Sequence, residues 1–217
     1  MKERNGNRLG YKKTRVGWIP GDWACQETQD FKPFITSGSR GWAQYYSKNG
    51  AIFLRITNLS RKNILPNMAD TKYVLLPQNS TEGIRTKIKK GDVLVSITAD
   101  LGIIGYIDSH FPTPAYVSQH IALLRIRCQT IIGRYIAYFL AGPVAQKRFL
   151  QITDQGAKAG LNLNAIRIFN LAIPSLAEQE KITRILSTWD TAISQTRKLI
   201  DAKIHRKNAL MQKLLQG

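Results

Sequence analysis

"LNLNAIRIFNLAIPSLAEQEKI" occupies Leu161–Ile182. An asparagine-rich stretch gives way to an apolar run, then to a proline, then to a segment that reads as helix to the end of the chain. Ser175-x-x-Glu178 fits a capping box, in which the serine hydroxyl accepts from the helix backbone and the glutamate reaches back. From Ala177 to Leu215 there is neither proline nor glycine. Apolar residues recur at Ile182, Leu186, Trp189, Ile193, Ile200, Ile204, Leu210, Met211 and Leu214, mostly three, four or seven apart. This is an apolar stripe of coiled-coil type with charged flanks, interrupted at Thr196, Lys203 and Lys207. Such a helix spans roughly 55–60 Å, wider than a domain of this size. Part of the stripe must therefore meet something other than the chain's own core.

Working back from the helix, the remaining sequence is β-like and loop-rich. "AIFLRITNL" from Ala51 predicts a strand with polar residues at its far end. "KKGDVLVSITA" from Lys89 predicts a Gly-Asp turn feeding a buried strand, and "QHIALLRIR" from Gln119 a half-buried one. "IIGRYIAYFLAG" (Ile131–Gly142) has helical spacing and a Gly-Pro stop. Pro143 can open a second short helix through Gln151, and "NLAIPSL" is a final extended run. "GWIPGDW" (Gly17–Trp23) sets two tryptophans around a Pro-Gly turn, behind a polar arm. The predicted class is α+β. An extended arm (1–17) precedes a globular body with a twisted, mainly antiparallel sheet and short helices (18–176). One long C-terminal coiled-coil helix follows (177–217).

The 217 residues carry a net charge of +18, which favours a polyanionic partner. Residues 31–176 hold 18 Lys and Arg against 6 Asp and Glu, so the excess sits on the folded body rather than in a tail. No apolar stretch approaches the length of a membrane helix, and the basic N-terminus has no apolar run behind it. Cys25 and Cys128 lie far apart and read as free, partly buried thiols in a reducing cytosol.

Catalytic signatures are missing from the sequence. There is no Walker loop, dinucleotide fingerprint, HExxH pair, G-x-S-x-G elbow or zinc-ligand spacing, and no Asn-Pro-Pro-Tyr-type tetrapeptide. Asp201-Ala-Lys203 resembles the tail of a nuclease motif, but on the helix it reads as a solvated ion pair. No cofactor and no metal is expected.

What the chain does hold is basic, amide and aromatic residues mixed in loop-like segments. "TSGSRGWAQYYSKNG" contributes Ser39, Arg40, Trp42, Tyr45 and Lys48. "RITNLSRKN" adds Arg55, Asn58, Arg61 and Lys62. "SITAD" supplies Thr98, "SQH" supplies Gln119 and His120, and "DQGAKAGLNLN" supplies Lys158 and Asn162. Arginine and lysine suit guanine edges and phosphates, glutamine and asparagine suit adenine edges, and hydroxyls fix register on phosphates. These are the candidate double-stranded DNA contacts. Tyr45 and Tyr46 fit a core edge as well as a contact.

In "VGWIPGDW", "GDVLVSITADLGIIGYI", "YVSQHIALLR" and above all "GLNLNAIRIFNLAIPSLAEQEKITRIL" with the ending "KNALMQKLLQG", the chain resembles the specificity subunits of type I restriction-modification systems. The resemblance covers nearly all of it. It implies a non-catalytic target recognition domain and a spacer helix that docks methyltransferase subunits, and it allows a restriction and translocase subunit as a further partner. It also implies a prokaryotic, cytoplasmic setting. The usual family member carries two recognition domains and two spacers, so this sequence resembles a half-length form, either a natural half-subunit or a truncation. The half-length form implies an antiparallel homodimer reading inverted half-sites and directing adenine methylation and restriction by its partners. Leu186, Trp189, Ile193, Ile200, Ile204, Met211 and Leu214 are the seam residues expected on the helix. The residues leave two rival classes open: a stand-alone nucleic-acid-processing nuclease, and a basic structural adaptor.

Overall fold

A computed structural model describes residues 9–77, 80–154 and 161–215. The chain divides into two compact units, between Glu180 and Lys181.

The first unit is α+β and is built on four sheets rather than one. β1 (Tyr11–Thr14) and β2 (Gly17–Pro20) form a hairpin. The end of the expected extended arm is therefore paired, because Gly17 at φ +100° lets the chain reverse there. β3 (Ala24–Glu27) pairs with the last strand, β12 (Asn170–Ile173).

One four-stranded sheet comprises β4 (Phe34–Ser37), β8 (Val93–Ser96), β9 (Ile104–Tyr106) and β11 (Ile121–Arg125), in the order β4-β11-β8-β9, all antiparallel. The other comprises β5 (Tyr46–Ser47), β6 (Ala51–Leu54), β7 (Lys72–Val74) and β10 (Ala115–Val117), in the order β10-β6-β7-β5, with β10 and β6 parallel. α1 (Thr81–Thr86), α2 (Gly133–Ala141), α3 (Pro143–Asp154) and α4 (Leu163–Arg167) are short.

Strand alternation explains how the two sheets share a core. In β6 all four residues are buried. Ile52 and Leu54 join Ile88, Leu94, Ile107, Val117, Ile121 and Leu123, whereas Ala51 and Phe53 join Trp42 and Val74 on the opposite face. β11 was expected to be half-buried, but Ile121–Leu124 are all buried. Ile121 and Leu123 face the shared core, while α2 and α4 pack against neighbouring strands of the same sheet and cover its outer face.

The long helix, α5 (Leu176–Leu215, 40 residues), begins within one residue of the expected start. The capping box is formed: the Ser175 hydroxyl accepts from the Glu178 amide at 3.3 Å, and the Glu178 carboxylate accepts from the Ser175 amide at 3.2 Å. Gln179, fully buried, holds the first turn in place. Its Oε1 accepts from the Ile132 amide (2.9 Å), and its Nε2 donates to the Thr130 and Pro174 carbonyls (3.0 and 3.1 Å). Beyond that turn, Leu186, Trp189, Ile193, Ile200, Ile204, Met211 and Leu214 are all exposed. Leu186, Ile193, Ile200, Lys207 and Leu214 fall on a strict seven-residue repeat, in which Lys207 is the one polar member. Asp201 and Lys203 lie exposed on this helix with no ion-pair partner among the described residues.

Candidate nucleic-acid interface

Strand direction brings separate loops to one end of the first unit. β4 runs antiparallel to β11 with Ser37 opposite Ala122, and β8 runs antiparallel to β11 with Ser96 opposite Ile121. The chain leaving β4, the chain leaving β8 and the chain entering β11 therefore meet. β10 runs parallel to β6 with Val117 opposite Leu54, which adds the segment that starts at Arg55. Backbone bonds tie these ends together. The Gly38 amide donates to the Ser118 carbonyl (3.3 Å), the Ser118 amide to the Leu54 carbonyl (2.9 Å), and the Leu161 amide to the Ile97 carbonyl (2.9 Å). Gly38 is required by contact, since a Cβ there would lie 2.3 Å from the Val117 oxygen.

Three of the candidate contacts meet at the centre. Gln119 Nε2 lies 2.9 Å from His120 Nε2, and Thr98 Oγ1 lies 2.5 Å from His120 Nδ1. An amide nitrogen can only donate, so His120 Nε2 accepts from Gln119. The neutral imidazole then donates from Nδ1 to the Thr98 hydroxyl oxygen. This leaves the Thr98 hydroxyl proton, one Gln119 amide proton and the Gln119 carbonyl oxygen without a partner among the described residues. Adjacent amide donor and carbonyl acceptor groups are what an adenine edge requires.

Around this centre the loops are braced by ion pairs. Arg85 donates to both Glu82 oxygens (2.8 and 2.7 Å), to the Ser39 hydroxyl (3.0 Å), and to Thr36 Oγ1 and the Ser37 carbonyl. Glu82 accepts from the Ser39 amide and hydroxyl (2.9 and 2.8 Å). Burial alone would raise the Glu82 carboxyl, but the bonds from Arg85 and Ser39 outweigh it and hold the group below its ordinary value of 4.5. Arg61 donates to Asp100 (2.5 Å), to the Leu101 carbonyl (2.8 Å) and to Gln146, so it spans from its own loop to the 98–102 loop and to α3. Ser96 and Asp100 close that loop from within, through the Ser96 hydroxyl and the Asp100 carbonyl (2.5 Å).

The sequence-predicted contacts thus separate into groups. Ser39, Arg40, Arg55, Arg61, Lys62, Thr98, Gln119 and His120 lie on the converging loops. Asn162 is exposed beside Leu161, where its side chain caps α4 by accepting from the Ala165 amide (2.7 Å). Arg40 and Lys62 are exposed with no side-chain partner among the described residues, whereas Arg55 is tied to Asp70 at 2.6 Å. Lys48 lies on the connection feeding the start of β6, the opposite end of that strand from Arg55. Lys158 lies outside the described residues.

Trp42 and Asn58 are corrected. Trp42 is 3% exposed and stacks on Phe53 with centroids 4.8 Å apart, because the turn before β5 folds over the second core. Asn58 is 1% exposed and serves its own turn, accepting from the Arg55 amide and donating to the Asn67 and Asp70 carbonyls. Tyr45 is half-buried, edge-on to Trp42, and takes the core-edge role. Sequence reading missed Gly38, Glu82, Arg85 and Gln146. Glu82-x-x-Arg85 was visible as an i,i+3 pair of opposite charges, but its target loop was not.

Among the described residues no group of three or more His, Cys, Asp or Glu could hold a metal ion, and no helix is long and apolar enough to cross a membrane. Cys25 and Cys128 are both free and half-buried.

Comparisons with known proteins agree on one family. The model of the type I restriction modification DNA specificity domain matches residues 31–204. A Methanocaldococcus jannaschii protein that carries the name of type I restriction enzyme MjaX specificity subunit is 27% identical over 208 residues, covering 94% of this chain and 48% of its own length. The type I restriction enzyme EcoBI specificity subunit of Escherichia coli is 25% identical over 131 residues, covering 60% of this chain and 27% of its own length. Among solved structures, the HsdS subunit from Thermoanaerobacter tengcongensis superposes with a TM-score of 0.60 at 15% identity, over 88% of this chain and 43% of that one. The chain therefore spans about half the length, or less, of the relatives it matches.

Proposed function

We propose that this chain, which belongs to the family of type I restriction-modification DNA specificity domains, supplies sequence-specific recognition of double-stranded DNA and no catalysis of its own. Residues 18–176 form the target recognition domain and residues 177–217 the spacer. The observation that carries this reading is the convergence of four strand-end segments on the Thr98–His120–Gln119 chain, which leaves an amide donor, a carbonyl acceptor and a hydroxyl proton for an outside partner. Arg40 and Lys62, exposed on the segments that leave β4 and β6, provide positive charge for the phosphates.

The exposed repeat on α5 supports self-association. Two copies paired antiparallel through Leu186, Ile193, Ile200 and Leu214 would cover the apolar stripe and present two recognition domains related by a two-fold axis. Inverted half-sites at a fixed gap follow from that symmetry. Methyltransferase subunits docked on the assembly carry out adenine methylation, and a restriction and translocase subunit joins them, in a prokaryotic cytoplasm.

The test is duplex selection from a random library, using this chain with its methyltransferase. Two inverted half-sites at one spacing are expected. Enrichment of a single asymmetric half-site would remove the homodimer and keep the recognition role. No enrichment from a folded complex would end the recognition reading, and cleavage of the duplex by the pure chain with a divalent metal would replace it with a nuclease.

A further inference from the structure

α3 borders the recognition loops from the outside. Gln146 donates to the Gly102 carbonyl at 2.8 Å and accepts from Arg61, so this turn of the helix is tied to two of those loops. Phe149 is buried against Gly102 one turn later, and stacks on Phe169 with centroids 4.8 Å apart. With one face of α3 held this way, the next residues round the helix, Lys147 and Arg148, are turned to solvent. Neither has a side-chain partner among the described residues.

They do not point into open solvent alone. Lys147, Arg148 and Gln151 line a cavity of about 270 Å³ together with Arg15 from the β1–β2 turn and the buried Phe169 and Asn170. Among the described residues three cations and two amides line it, and no carboxylate does. Arg15 is only loosely engaged, by an exposed contact to Glu27 at 3.2 Å. Concentrating like charges around one concavity raises the local potential and costs self-repulsion unless an anion enters.

We propose that this cavity is a phosphodiester site that grips the DNA strand flanking the bases read at Thr98 and Gln119, with Lys147 and Arg148 as the main contacts and Arg15 and Gln151 supporting them. The assignment rests on the DNA-recognition reading above and adds a sequence-independent clamp to it. The alternative anion, an acidic segment of a partner protein, lacks the feature that favours DNA: the same turn of α3 that carries the cations is bonded to the base-reading loops.

The test is a double variant, Lys147→Gln with Arg148→Gln, in the full chain assembled with its methyltransferase. Binding to the selected duplex and to a scrambled duplex is measured across a salt series. Two lost phosphate contacts should weaken both duplexes by the same factor and make the slope of log K against log salt shallower by about 2, with base preference intact. A charge-keeping variant, Lys147→Arg with Arg148→Lys, should retain the parent slope, which separates charge from misfolding. An unchanged slope in the first variant would overturn the assignment. An unchanged slope together with loss of methyltransferase assembly would overturn it in favour of an acidic protein surface. If the parent chain enriches no sequence at all, the recognition reading falls, while the slope on scrambled duplex still decides the cavity.

Discussion

The two units of the chain leave groups unpaired in opposite ways. At the loop end of the first unit, the frame is tied by backbone bonds and ion pairs, and the polar atoms left open among the described residues are few and fixed in direction at its centre, on Thr98 and Gln119. Along α5 the exposed groups of the stripe are apolar and numerous, from Leu186 to Leu214. A few open donors and acceptors select a partner by direction, because an unmatched polar group costs about 1–3 kcal/mol. A long apolar stripe selects by repeat length and shape, since burial rewards any partner that fits it. One region therefore suits discrimination among base sequences, and the other suits association with a matching helix.

The largest effect is expected at the stripe. Ile193→Lys with Ile200→Lys places two charges in the proposed seam, and light scattering should show the mass of the assembly halved. An unchanged mass would place the seam elsewhere. Gln179→Ala comes next. It strands the Ile132 amide and the Thr130 and Pro174 carbonyls, and about 3 kcal/mol should be lost in a urea titration, at about 1 kcal/mol for each broken bond. A loss under about 1 kcal/mol would show that the capping box alone holds the first turn.

A smaller effect is expected at the loops. Gln119→Ala should leave stability nearly unchanged and relax base preference about tenfold at one position of the selected site. Uniform weakening on every sequence would make Gln119 a backbone contact instead. The mildest lever is pH. Because the folded Glu82 carboxyl sits below 4.5, its stabilising contribution is complete above that value and is lost as pH falls through the lower, folded value. The urea midpoint should therefore drop on acidification, and the drop should shrink in Glu82→Gln. Equal drops in both proteins would assign the acid sensitivity to other carboxylates.

Much of this architecture could be read locally. The capping box at Ser175, the stop at Gly142-Pro143 and the buried run Val93–Ser96 each depend on neighbours within a few residues, and each is where the sequence places it. The site was legible only as a set of residue types. Thr98 was chosen apart from Gln119 and His120, and it meets them because β8 pairs with β11, a long-range event that no short pattern encodes. Trp42 failed for a related reason. Its surroundings in sequence are polar and basic, but side-chain direction is set by the fold of the turn over Phe53. The latch from Arg85 to Ser39 escaped because its partners lie more than forty residues apart.

Gly38 is tied to the frame through its own main chain. The bonds that hold its loop to Ser118, and Ser118 to Leu54, run from backbone to backbone. Exchange of a side chain at Gln119 or Thr98 removes none of them. The frame is thus indifferent to which side chains it displays at those two positions. The same freedom stops at position 38, where any side chain would collide with the Val117 carbonyl.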